Sequence, residues 1–130
     1  LMYHDDCEIE VGDVCVADIS RRVNKEVEEI KGVKILSGQY PGILSSKLLA
    51  LDGEYRNLSS VEAVFCKAID KMDAIVHELK YPADWGSHKR FGYDDVNKYF
   101  RKYFEFSSSF MMIFEELLVY LTENKYFEEK

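Results

Sequence analysis

The sequence predicts an all-α protein, and three observations predict it. Apolar residues recur at spacings of three and four wherever a period is clear. Beside that periodicity, nothing argues for a sheet. The 130 residues make one domain's worth of chain, long enough to bury roughly two-thirds of its unfolded surface without disulfides.

The elements follow in chain order. Residues 1–9 read as the end of a helix, closed by a loop at Gly12-Asp13, and "VADISRR" continues as loop. Two shorter helices are expected, from Asn24 to about Leu36 and from Ile43 to about Arg56, separated by Gly38 and Pro41-Gly42. The clearest signal starts at Ser59, where Ser59 and Glu62 fit a capping box. It continues with Val61, Val64, Phe65, Ala68, Ile69, Met72, Ile75, Val76 and Leu79 as one apolar face, ending before Pro82. Cys66, Asp70, Asp73 and His77 form a polar stripe beside it. A further helix is expected from about Asp95 to Phe106. Another follows the Ser107-Ser108-Ser109 run, with Phe110, Ile113, Phe114, Leu117, Leu118 and Leu121 on a core-facing side.

Charge and cysteine usage narrow the classes of function. With 24 acidic against 17 basic residues and a net charge of −7, the chain lacks the positive field that binding to a long phosphate backbone requires. Cys7, Cys15 and Cys66 form no CxxC pair and leave one over, which fits a reducing compartment and predicts a cytoplasmic protein. Neither a membrane span nor a signal peptide is visible, so a membrane is not an expected partner.

The chemistry concentrates in "YHDDCEIEVGD". On a helix, His4 and Glu8 share a face, and the consecutive His4 and Asp5 lie about 100° apart around the axis, so both reach one ion placed between them. An imidazole nitrogen with a carboxylate oxygen suits a borderline divalent metal: Mn, Fe, Co, Ni or Zn. Cys7 adds a thiolate-zinc alternative, set against a buried, inert thiol.

The run "HDDCEIEVGD" resembles the second motif of the HD-domain phosphohydrolases, in the branch similar to 5′-deoxynucleotidases, where an HDxxE helix end leads into a Gly-Asp turn. The matching positions are His4, Asp5, Glu8, Gly12 and Asp13. The later "GEYRNLSSVEA" leads into Asp70 in the register that family shows, and the resemblance covers residues 1–80. It implies an HD-type helical bundle holding one divalent cation through His4, Asp5 and Asp70. Glu8 would orient or deprotonate the attacking water, Asp13 would assist substrate positioning or proton transfer, and the reaction would release the 5′-phosphate of a small nucleotide. The family's site also takes a His from helices ahead of the HD motif. This sequence opens at that motif with "LMY", which reads like the inside of a helix with no cap ahead of it, so the bundle is expected to be N-terminally incomplete and an upstream segment is expected. His77 lies two turns past Asp70, about 10 Å along the axis, and is too far to replace that ligand.

The remaining conspicuous residues are weighed against plainer roles. Arg21, Arg22 and Lys25 follow the Gly-Asp turn, where a substrate phosphate would meet one of them, although a solvated loop is the simpler expectation. "NKYFRKYFEF" interleaves bases with aromatics, and reads as an amphipathic helix with core aromatics rather than a base-stacking platform. "YPADWGSHKRFG", with Trp85, His88 and Arg90, is expected to be a loop. The alternative to an enzyme is a catalytically silent HD-derived helical domain that binds a nucleotide or protein partner or pairs as a homodimer. The carboxylates of Glu8 and Asp13 favour the enzyme.

Overall fold

The structure, a computed structural model, describes residues 4–14, 18–81 and 92–127. Every regular element among them is helical: α1 (Glu8–Val11), α2 (Ile19–Arg22), α3 (Lys25–Ser37), α4 (Gly42–Asn57), α5 (Val61–Lys80), α6 (Tyr93–Phe100), a 3₁₀ turn (Arg101–Tyr103) and α7 (Ser108–Glu123). No helix among these residues is long and apolar enough to cross a membrane. The chain divides into two compact units, Leu1–Cys66 and Lys67–Lys130, with the division inside α5.

In the first unit, a helical turn over residues 4–7 runs into α1, which ends where Gly12 takes φ 76°, a value that costs glycine nothing. Cys7, Val33, Leu36 and Leu48 form the buried cluster that joins this turn to α3 and α4. Gly32 lets α3 come this close, because a Cβ there would stand 2.7 Å from the Cys7 carbonyl oxygen. The expected loop "VADISRR" contains α2 instead. Asp18 caps it, accepting from the Arg21 backbone N–H at 3.2 Å, and satisfies a donor that a four-residue helix could not satisfy internally. The start of α5 also shifts by one residue. Ser60, not Ser59, accepts from the Ala63 N–H at 3.0 Å, while Ser59 donates its backbone N–H to the Glu54 carbonyl at 3.2 Å as α4 closes.

The second unit centres on aromatic packing. Phe100, Phe104, Phe114 and Leu121 are fully buried with Val96 and Ile75, and the Phe104 and Phe114 rings lie 5.0 Å apart. The helix expected over Asp95–Phe106 starts two residues earlier and stops at Phe100, then tightens into the 3₁₀ turn that brings Phe104 inward. The bases of "NKYFRKYFEF" are drawn aside: Arg101 pairs with Glu115 at 3.2 Å, and the Lys102 ammonium lies 4.9 Å from the Tyr103 ring centre. Parts of both apolar stripes face outward, since Phe65, Val76 and Ile113 are each about half exposed. The segment with Trp85, His88 and Arg90 lies outside the described residues, as does Cys15.

Candidate functional site

The turn over residues 4–7 and α1 carry four of the predicted site residues. His4 is largely buried and its ring meets Tyr55 of α4 edge-on, with centroids 5.5 Å apart. Its Nε2 lies 2.9 Å from an Asp5 carboxylate oxygen. Adjacent donors on one cation with bonds of about 2.1 Å stand about 3 Å apart, so this separation is the one two neighbouring ligands adopt. Asp70, on α5, is ion-paired with Lys71 at 2.8 Å and Lys67 at 3.6 Å. Burial pulls the Lys71 ammonium down, but Asp70, Tyr99 and Tyr103 hold it above its ordinary value. An imidazole nitrogen beside a carboxylate oxygen suits Mn, Fe, Co, Ni or Zn.

Cys7 does not take part. It is buried beside Gly32, its Sγ directed at the His4 carbonyl at 3.7 Å, and burial raises its thiol above the ordinary range. A neutral, apolar-packed thiol is not a zinc ligand, which sets the thiolate alternative aside. His77 is exposed and stacks on Tyr81 at 4.6 Å, the surface role expected of it.

Glu8 and Asp13 converge on Lys25. The Lys25 Nζ lies 3.4 Å from Glu8, 3.5 Å from Asp13 and 3.4 Å from Glu29. The left-handed Gly12 turns the chain so that Asp13 faces the same ammonium as Glu8. Burial raises the Glu8 carboxyl, and the charges of Asp13 and Asp5 raise it further, against the pull of Lys25. Behind Lys25, Glu29 pairs with Arg56 at 2.9 Å, and the Arg56 Nε donates to both oxygens of Asp52 at 2.9 Å. Reading the sequence missed this row, although its i,i+4 spacings, Lys25 with Glu29 and Asp52 with Arg56, are visible there.

Of the three expected substrate cations, Lys25 stands not in a loop but on the first turn of α3, and Arg21 and Arg22 end α2. Arg21 and Lys25 border a pocket of about 230 Å³ walled by Val11, Gly12, Val14, Ser20 and Asn24, with Glu28 and Glu29 also lining it. Arg22 does not line it.

Comparison with known proteins extends the picture. The family model described as HD domain matches residues 1–109. Among curated proteins, the 5′-deoxynucleotidase HDDC2 of Bos taurus is 35% identical over 80 residues, covering 62% of this chain and 39% of that protein. The Homo sapiens and Mus musculus proteins of the same name are each 32% identical over 80 residues, covering 62% of this chain and 39% and 40% of their own lengths. The match thus spans about two-fifths of each relative. No solved structure matches the chain.

Proposed function

The chain belongs to the HD-domain family, and we propose that it is a metal-dependent phosphohydrolase that removes the phosphate of a small nucleotide, a 5′-deoxynucleoside monophosphate in the first instance. The observation that carries this reading is the convergence of Glu8 and Asp13 on one ammonium, one turn from the His4–Asp5 pair. Relatives named as 5′-deoxynucleotidases point to the substrate class. The net charge of −7 favours a small substrate over long nucleic acid.

In this reading His4, Asp5 and Asp70 are the metal ligands. When bound, the divalent cation polarises the phosphoryl group and acidifies water at the site. Glu8, held outside the ligand set, accepts the proton of the attacking water through a carboxylate oxygen, and its raised proton affinity suits that task. Asp13, the more exposed carboxylate, orients the sugar or relays to the leaving oxygen the proton that Glu8 has taken from water. Arg21 and Lys25, at the rim of the neighbouring pocket, meet the substrate, and Arg22 lies one residue further along the same turn. A silent HD-derived domain that only binds nucleotide or protein has no need to keep Glu8 and Asp13 together beside these ligands.

Two variants of the complete protein separate the roles. Glu8→Ala should retain metal and fold while phosphate release from deoxynucleoside monophosphates falls by about 10²–10⁴-fold. Asp70→Ala should lose metal and activity together. Metal content and phosphate release measured in parallel decide the matter: full turnover in Glu8→Ala removes it as the base, and loss of metal there makes it a ligand.

A further inference from the structure

We infer that Lys25 keeps Glu8 out of the cation's inner shell and so reserves it as the proton acceptor, an inference that rests on His4, Asp5 and Asp70 being the ligands. Glu8 lies one helical turn after His4 on the same face, close enough for a glutamate to swing onto an ion at His4. The donor beside the His4 ring is nevertheless Asp5, 2.9 Å from its Nε2. The Glu8 carboxylate points instead to the Lys25 Nζ at 3.4 Å.

That ammonium is not free to follow Glu8 toward a cation. It is half-buried and tied at 3.4 Å to Glu29. Glu29 is fixed by Arg56, and Arg56 by both oxygens of Asp52. The anchor therefore spans α3 and α4, and Glu8 enters the inner shell only by giving up a partner that stays behind. Asp13 shares the same ammonium at 3.5 Å but is mostly exposed, so water screens its hold on Lys25. Lys25 is thus a positioning residue. It also separates the two carboxylates from their mutual repulsion. Removing its charge frees Glu8 to become an additional protein ligand, which raises cation affinity as a carboxylate joins the site and removes the base.

The test is a double-substitution cycle on Mn²⁺ affinity, read by calorimetric titration of the complete protein with Mn²⁺ alone. Lys25→Met should bind Mn²⁺ about tenfold tighter, the gain of an added carboxylate ligand. Glu8→Gln alone should change affinity by no more than about twofold, since Glu8 is not a ligand while Lys25 is present. In the double variant the gain should vanish, and Lys25→Arg should bind as the unsubstituted chain does. Loss of a positive charge near the site would also tighten binding, but that gain would persist in the double variant. Persistence therefore overturns the inference, as does a Lys25→Met affinity unchanged or weakened. Lys25→Gln, run in parallel, carries the same cycle if the methionine variant melts early. Complete protein that takes up no Mn²⁺, or a His4→Ala variant of it that binds the ion undiminished, overturns the ligand reading itself and the inference with it.

Discussion

Glu8 is pulled two ways. Burial is the largest influence on its carboxyl and the charges of Asp13 and Asp5 add to it, so its folded proton affinity exceeds the ordinary value of 4.5 despite Lys25. A carboxyl whose folded value is raised supports the fold when protonated and costs stability when ionised. Its contribution is fully present below the ordinary value and lost as pH rises through the raised one. Glu8→Gln, which stays neutral, should therefore melt higher than the unsubstituted, metal-free chain at pH 7. That advantage should shrink as pH falls and vanish below 4.5. Melting curves across this range check it, and a lower melting point for Glu8→Gln at neutral pH would mean that the Lys25 pair outweighs burial and repulsion. The motif positions were legible because the order of residues in "HDDCEIEVGD" carries the HD-domain resemblance. Which carboxylate meets an ammonium was not legible, because Lys25 is 17 positions from Glu8.

At the scale of elements, the packing of the turn over residues 4–7 and of α1 against α3 turns on Gly32. A methyl there would meet the Cys7 carbonyl oxygen at 2.7 Å and a Val11 methyl at 3.3 Å. Alanine gains up to about 1 kcal/mol of helix propensity over glycine, but forcing backbone apart costs about 1–3 kcal/mol. Gly32→Ala should be net destabilising. Gly53→Ala in α4, where nothing lies within 4 Å, should instead stabilise by about 0.5–1 kcal/mol. Urea unfolding of the two variants compares them directly, and equal shifts of one sign would show that propensity alone is at work. The long helices were legible, since α3, α4, α5 and α7 fall within a residue or two of their periodic segments. The short α2 was not, because four residues carry no period and its capping oxygen on Asp18 looks like any loop aspartate.

For the whole molecule, a cation bound by the native state alone must stabilise it by mass action. Saturation at about 100 times the dissociation constant contributes about 2.7 kcal/mol. Adding Mn²⁺ should raise the melting temperature of the chain, a chelator should reverse the rise, and His4→Ala should abolish it. A shift that survives His4→Ala would place the binding elsewhere among the 24 acidic residues. The acidic whole also bears on partners: long nucleic acid meets a net repulsive field, whereas a mononucleotide needs only a local cation. Under the proposed function Arg21, which borders the pocket, is that cation.

By itself the sequence determined the helical class, the positions of the long helices and the identity of the motif residues. The helices depend on side chains three or four apart, a geometry that the 3.6-residue repeat imposes before any tertiary contact forms, and the motif residues on their resemblance to the HD-domain pattern. The close approach at Gly32, the choice of Ser60 over Ser59 as cap, and the row from Lys25 through Glu29 and Arg56 to Asp52 were decided only by the tertiary structure. These depend on which helices lie side by side and at what depth. Burial and distance then set which carboxylate is paired and which proton affinity rises, and neither quantity exists until the chain has folded.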